Sequence, residues 1–270
     1  MTTSHKKIAI FYTDHDDEWT DPYGNFVDMA QKLLNETKDH PSDVEYKMFH
    51  IYNNEFPTLE ELGSVDEMGD SNYIGIFITG SRYDSFDQTT EWIIKFRTML
   101  DHLLNDNDEN NPYPPIVGIC FGHQAIAKTL GCNVDRNPLG FEGGVVPIDL
   151  NETGQTIFGT TQLHLSEVHN DIVFDAPKEK GYMNWGSSDK CKIQGLYKEH
   201  KLLTFQGHPE FVNEIAAKGV EKTRAKLKGS DTKGINTDAQ LDEMVANTKK
   251  YQNDGKLASS KIWQLFSQIL

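Results

Sequence analysis

Two short segments of this 270-residue chain bring together residue types that do covalent chemistry. The first, Gly118-Ile119-Cys120-Phe121-Gly122, sets a thiol between two glycines where an apolar run gives way to a helical pattern. A G-x-nucleophile-x-G turn between strand and helix holds its central residue in a strained conformation. Side chains at the flanking positions would collide with that residue and with neighbouring backbone, hence the glycines. The turn also sets the sulfur at a helix N-terminus, whose dipole favours a thiolate and whose free N–H groups can bind an oxyanion. A free cysteine is more often an inert buried side chain. The glycine spacing sets that reading aside for Cys120 and leaves it in force for Cys132 and Cys191. The second segment, Gln206-Gly207-His208-Pro209-Glu210, supplies a base and a carboxylate to orient it, as a Cys-His-acid triad requires. His-x-Glu alone is a weak signal; beside the elbow it is a strong one. The two segments lie far apart in sequence, so only the fold can bring them together.

The elements that must do so are legible. Ile8 to Thr13 and Tyr73 to Thr79 are continuous β-rich runs of the kind buried on both faces. A strand over Val44 to Ile51 alternates Tyr46, Met48 and His50 with Glu45, Lys47 and Phe49, and Ile116 to Ile119 forms a fourth strand. Helical spacing marks Phe26 to Leu34 and Trp92 to Leu103. Asn105 to Pro115 reads as an acidic loop. Strand and helix in alternation predict a mostly parallel sheet covered on both faces. The second half differs: short strands at Gly144 to Leu150, Gln162 to Glu167, Tyr182 to Trp185, Ile193 to Tyr197 and Leu202 to Gln206 predict antiparallel additions. A helix from Phe211 to about Lys228, a polar linker over Gly229 to Asn236 and a last helical region ending at Leu270 complete the chain. The organisation expected is an α/β domain over 1–228 and a linker with a C-terminal helical extension over 229–270. Trp92, Phe96, Trp263 and Phe266 stand at helical spacing and read as core.

Gly118-Ile-Cys-Phe-Gly-His-Gln124 and Phe205-Gln-Gly-His-Pro-Glu-Phe211 resemble the two signature motifs of class I glutamine amidotransferases. The resemblance covers about residues 6 to 228. Within that family it is nearest to stand-alone members, among them plant γ-glutamyl peptidases that act on glutathione conjugates and fungal amidotransferase-like proteins. Tyr23-Gly24, Glu55-Phe56-Pro57, Ile78-Thr79-Gly80-Ser81 with Asp84, Ser187-Ser188-Asp189-Lys190 and His169-x-Asp171 support it. The fold implied is flavodoxin-like. The chemistry implied is attack of Cys120 on the γ-carbonyl of a glutamine or γ-glutamyl group to form a thioester, with His208 as acid and base and Glu210 holding it. By the same resemblance the N–H groups of Gly80 and Phe121 form the oxyanion hole, each donor worth about 3 kcal/mol. Gln124 contacts the glutamyl moiety, and His169 to Asp171 line the pocket. The residues agree in part: Thr79-Gly80 ends a strand at the carboxyl edge where α/β sheets place ligands, and Gln124 lies one helical turn past Cys120.

Other groups have two readings each. Asp14, His15, Asp16, Asp17 and Glu18 form an acidic cluster after the first strand; a solvated loop is favoured over a metal site, because consecutive charges rarely converge on one ion. Arg82 and Asp84 either hold a substrate's α-carboxylate and α-ammonium or stabilise their loop. His169 is either a pocket residue or a structural hydrogen-bonder, and Arg136 could meet an anionic substrate end. The composition narrows the partners. Lys and Arg number 26 against 41 Asp and Glu, a formal charge of −15, which argues against a nucleic-acid or anionic-membrane partner, since those select clustered Lys and Arg. The three cysteines form neither a disulfide framework nor a zinc spacing, and no apolar run is long enough to cross a bilayer. A cytoplasmic protein is expected, and with no phosphate loop, dinucleotide fingerprint or metal-ligand spacing, no cofactor. Three functions remain in view: a γ-glutamyl peptidase needing no partner; a glutaminase subunit supplying ammonia to an acceptor or synthetase partner; and a non-catalytic binding protein of the same fold, against which the intact Cys120, His208 and Glu210 weigh.

Overall fold

A computed structural model describes residues 6–37, 43–104, 112–227 and 236–270. The strands are β1 (Lys7–Tyr12), β2 (Glu45–His50), β3 (Tyr73–Ile78), β4 (Ile116–Ile119), β5 (Val134–Arg136), β6 (Glu142–Leu150), β7 (Gln162–His169), β8 (Asp171–Val173), β9 (Met183–Asn184), β10 (Gly186–Ser187), β11 (Leu196–Lys198) and β12 (Leu202–Phe205). The helices are α1 (Phe26–Asn35), α2 (Leu59–Leu62), α3 (Glu91–Leu103), α4 (Phe121–Thr129), α5 (Glu152–Phe158), α6 (Asn213–Leu227), α7 (Asp238–Lys250) and α8 (Gly255–Phe266). Most of the expected acidic loop and of the polar linker lie outside the described residues.

A seven-stranded sheet in the order β2-β1-β3-β4-β12-β11-β9 organises the molecule. Its first five strands run parallel; β11 and β9 extend the far edge antiparallel. Alternation along the central strands divides the core. Ile8, Ile10, Phe77, Val117 and Ile119 face one side, where α1, α5 and α8 pack; Ala9, Phe11, Ile76, Ile78 and Ile116 face the other, under α3 and α4. A three-stranded antiparallel sheet, β10-β6-β7, and the β5-β8 pair are the additions. The expected α/β architecture is therefore present.

Differences lie in short or marginal elements. In the edge strand β2 it is Phe49 that is buried, while Met48 is 39 % exposed, because the strand has a neighbour on one side only. Helix α5 escapes periodicity analysis because it has seven residues; Asn151 starts it, accepting the Gly154 N–H at 3.1 Å, and Gly159 closes it at φ +70°. The last helical region is two helices, broken over Tyr251 to Asp254. Both pack on the rest of the chain. Ile262, Trp263, Leu265 and Phe266 of α8 are buried in the core with β1 and α1, and α7 lies on α6 and β6.

Candidate active site

β4 and β12 are parallel neighbours with Ile119 paired to Phe205. That register is what joins the two chemical segments: the residue after β4 is Cys120, and the loop after β12 carries His208 and Glu210. The Cys120 N–H donates to the Phe205 carbonyl at 2.8 Å, and the Gln124 N–H returns to the Cys120 carbonyl at 3.0 Å as α4 begins. Cys120 has φ +48° and ψ −101°, a conformation that costs a non-glycine residue about 1–3 kcal/mol. Both flanking glycines are obligatory. A Cβ on Gly118 would meet Ile126 Cδ1 at 2.7 Å, and one on Gly122 would meet Ile78 Cγ2 at 2.8 Å.

His208 is enclosed on several sides. Its Nδ1 is 2.8 Å from Glu210 Oε1, its ring stacks on Phe211 with centroids 3.9 Å apart, and its N–H donates to the Ser166 carbonyl at 2.8 Å. The Cys120 sulfur is within hydrogen-bonding reach of the ring. Burial opposes charge on the imidazole, but the charges of Glu210 and Cys120 and the hydrogen bonds to both outweigh it and push His208 up to about 10. The structure thus brings Cys120, His208 and Glu210 together. Gly80, just past β3, lies against the edge of the imidazole, and among the described residues no backbone carbonyl takes up the N–H of Gly80 or of Phe121.

A cavity of about 170 Å³ opens on Cys120 and His208. Gln124, Arg82, Asp84, His169 and Asp171 all reach its wall, as do Arg136 and the aromatic rings of Trp19, Phe26 and Phe211. The charged groups are already paired. Arg82 Nε donates to Asp14 Oδ1 at 2.7 Å and its Nη1 lies 3.3 Å from Asp17 Oδ2. Arg136 bridges the Asp84 carboxylate, at 2.7 and 2.8 Å, and Asp171. The acidic cluster after β1 is a solvated loop in part: Asp16 and Glu18 are exposed, while Asp14 is buried on Arg82; Asp16 accepts from Tyr12 and Asn25, and Asp17 takes Lys222. Gln124 turns its amide inward, donating to the Asp171 carbonyl at 3.0 Å and to Gln206 Oε1 at 3.2 Å, while Gln206 Nε2 lies 3.8 Å from the Cys120 sulfur.

His169 also belongs to a buried cluster. Its Nδ1 faces the Asp171 carbonyl at 3.1 Å; its Nε2 lies 3.1 Å from Glu142 Oε2 and 3.2 Å from Glu167 Oε2. Burial disfavours its charge, yet the hydrogen bonds and charges of the two carboxylates prevail and hold the imidazolium well above the ordinary histidine range. Burial pushes Glu167 up to about 7 despite His169, and pushes nearby His123 down to about 3. Among the described residues Glu142, Glu167 and His169 are the one set whose donor atoms, all within 4.8 Å of one another, have the composition of a metal site. Each imidazole nitrogen faces an oxygen acceptor, so the set also closes as an ion triad. In the sequence reading Glu142, Glu167 and Gln206 have no site role. A signal existed for Glu167: it and His169 continue the inward phase of Leu163 and Leu165 along β7, where a charge must have a partner. Cys132 and Cys191 are buried, and burial raises both thiols, Cys132 to about 12.

The sequence model of the family "Glutamine amidotransferase class-I" matches residues 48–224. A protein of Saccharomyces cerevisiae named "Putative glutamine amidotransferase YLR126C" is 50 % identical over 97 % of this chain and 98 % of its own length. "Gamma-glutamyl peptidase 2" of Arabidopsis thaliana is 28 % identical over 84 % of this chain and 85 % of its own. Among solved structures, a glutamine amidotransferase from Thermotoga maritima superposes with a TM-score of 0.66 at 16 % identity, covering 97 % of this chain and 98 % of that one, which is a likeness of fold. Among the described residues no helix is long and apolar enough to cross a membrane. With a family match over most of the sequence and a half-identical relative over nearly all of it, the chain belongs to the class I glutamine amidotransferase family.

Proposed function

We propose that the protein hydrolyses the γ-glutamyl amide bond of a γ-glutamyl peptide through a thioester on Cys120. The observation that carries this reading is the adjacency of β4 and β12, which sets a strained cysteine beside a buried, carboxylate-paired imidazolium. The sulfur adds to the γ-carbonyl carbon, and the oxyanion that forms meets the N–H groups of Gly80 and Phe121. His208 gives its Nε2 proton to the departing amine as the C–N bond breaks, leaving the thioester. A water then adds to the thioester carbonyl while His208 takes a water proton, and the C–S bond breaks to release glutamate. Glu210 keeps the ring oriented throughout. The α-amino acid end of the substrate is a zwitterion, and the cavity wall holds matching ions: Arg82 for the α-carboxylate and Asp84 for the α-ammonium, with Gln124, His169 and Asp171 beside them. Binding then exchanges protein ion pairs for protein–ligand pairs.

The Arabidopsis relative, aligned over 84 % of the chain, supports the peptidase form of this chemistry, which needs no partner. The family's description supports a second form, release of ammonia from glutamine to a separate acceptor enzyme. The deciding assay follows ammonia from glutamine beside glutamate from glutathione and a glutathione conjugate, in wild type and Cys120→Ser. Peptide cleavage lost in the variant supports the first form, and turnover of glutamine alone supports the second. Equal rates in wild type and variant would refute both.

A further inference from the structure

The turn between α7 and α8 lies outside the residues matched by the family model, yet it holds the loop that carries His208 and Glu210. The Asn253 side chain enters that loop. Its Nδ2 donates to the carbonyls of His208 at 3.0 Å, Pro209 at 3.4 Å and Phe211 at 2.5 Å. Three carbonyls converging on one amide fix which end is nitrogen, and Asn253 Oδ1 has no hydrogen-bond partner among the described residues. The turn is itself anchored. Asn253 N–H donates to Asn213 Oδ1 at 3.2 Å, and Asn213 Nδ2 returns to the carbonyls of Thr248 and Tyr251, each at 2.7 Å. Next door, Asp254 exchanges hydrogen bonds with the His164 backbone in both directions, each at 2.8 Å. Gly255 lets the two segments close: a Cβ there would sit 2.0 Å from the Pro209 carbonyl oxygen.

From this geometry we infer that Asn253 is a positioning residue, through which the C-terminal extension holds His208 at its working distance from Cys120. The inference rests on the role given above to His208. Two contacts transmit the grip. The carbonyl of His208 is tied directly, and the tie to Phe211 fixes the ring stacked 3.9 Å from the imidazole. The opposite side of the same loop is held by β7 through the Ser166 carbonyl. Loss of the Asn253 donors therefore frees one side of the loop while leaving the other in place.

The test compares wild type with Asn253→Asp and Asn253→Ala in the full-length chain. Asn253→Asp keeps the side chain's shape but turns oxygen toward three carbonyl oxygens. For glutathione or the conjugate that wild type cleaves, kcat falls about tenfold or more while KM stays within about twofold, because the loop carries the imidazole rather than the groups given above to the α-amino acid end. A second readout needs no substrate: alkylation of Cys120 by iodoacetamide at neutral pH, followed by peptide mass, slows about threefold or more as the imidazolium withdraws from the sulfur. A residue of purely structural importance would lower the melting temperature and leave kcat per folded molecule and the alkylation rate unchanged; that result overturns the inference. Should neither variant fold, Asn253→Ser, which retains one donor, is read by the same criteria. If wild type cleaves no γ-glutamyl substrate, the proposed function fails, and the alkylation rates alone then uphold or overturn the role of Asn253.

Discussion

Gly80→Ala is the substitution for which the structure makes the sharpest forecast. Gly80 does not use a left-handed conformation, so alanine fits its backbone and keeps its N–H. The added Cβ nevertheless falls 2.7 Å from His208 Cε1, with both ring nitrogens at 3.6 Å. Carbon atoms pack at about 3.5–4.0 Å, so the ring must retreat by about 0.8 Å or more. Cε1 lies between the two nitrogens, so the retreat changes the Glu210 hydrogen bond, the approach to Cys120, or both. The Phe211 stack and the 2.8 Å bond to Glu210 leave the ring little room to adjust. A misplacement of about 1 Å at reacting groups costs about a hundredfold in rate, equivalent to about 2.7 kcal/mol in the barrier. Stability moves little, because the entropy alanine removes from the unfolded chain, about 0.4–1 kcal/mol, offsets part of the strain. The assay is kcat and KM by glutamate release, with thermal melting as the check on folding. A folded Gly80→Ala enzyme within about threefold of wild type would refute the placement of His208 as the proton carrier.

Three further outcomes follow from burial and strain. His208 and His169 are both held protonated above their ordinary range, so the native state keeps protons that the unfolded chain releases above about pH 6.5; their contribution is full below that pH and declines as pH rises toward 9, by at most about 1.4 kcal/mol per pH unit for each proton. Urea midpoints between pH 7 and 9 should fall in wild type and fall less in His208→Gln; parallel slopes would contradict the assignment. At the strained turn, Cys120→Gly should be more stable than Cys120→Ala by about 1 kcal/mol, since glycine alone adopts φ +48° freely; equal unfolding free energies would remove the strain argument. Phe266→Ala should cost about 3–5 kcal/mol, because the ring is buried on Gly75, where a Cβ would lie 2.3 Å from Cε1; a loss under about 1 kcal/mol in urea unfolding would detach α8 from the core.

The centre of the sheet was legible because β1, β3, β4 and β12 are short, continuous and apolar, and because each is followed by a helix of clear period. Ile116 to Ile119 and Leu202 to Phe205 could each be recognised locally. That they are neighbours, with Ile119 beside Phe205, is a pairing that no local pattern encodes, and the site exists only through it. The elbow is the opposite case. Its geometry is set by contacts within a few residues, Gly118 against Gly122 and Ile126, so the spacing alone identifies it. Elements such as α5 and β10 escape detection because seven and two residues give no period to read.

The charged residues were legible in kind and not in partner. In the sequence Asp14 reads as solvated loop, Asp84 as either ligand group or loop stabiliser, and Asp171 as pocket lining; the fold pairs them with Arg82 and Arg136, which come from other loops and strands. The same holds more strongly for the C-terminal extension. Its apolar residues at helical spacing, Trp263 and Phe266, mark it as packed on something, and that inference needs only the cost of exposing two aromatic rings. What it packs on decides its meaning. Asn253 stands in a polar Tyr-Gln-Asn-Asp-Gly turn that looks like any loop between helices, and the three carbonyls it donates to belong to residues more than forty positions earlier. A side chain that acts through another residue's backbone leaves no mark in its own neighbourhood. Such roles become visible only when the acceptors are seen to converge, which is why the extension reads as an appendage in the sequence and as a support of the His208 loop in the fold.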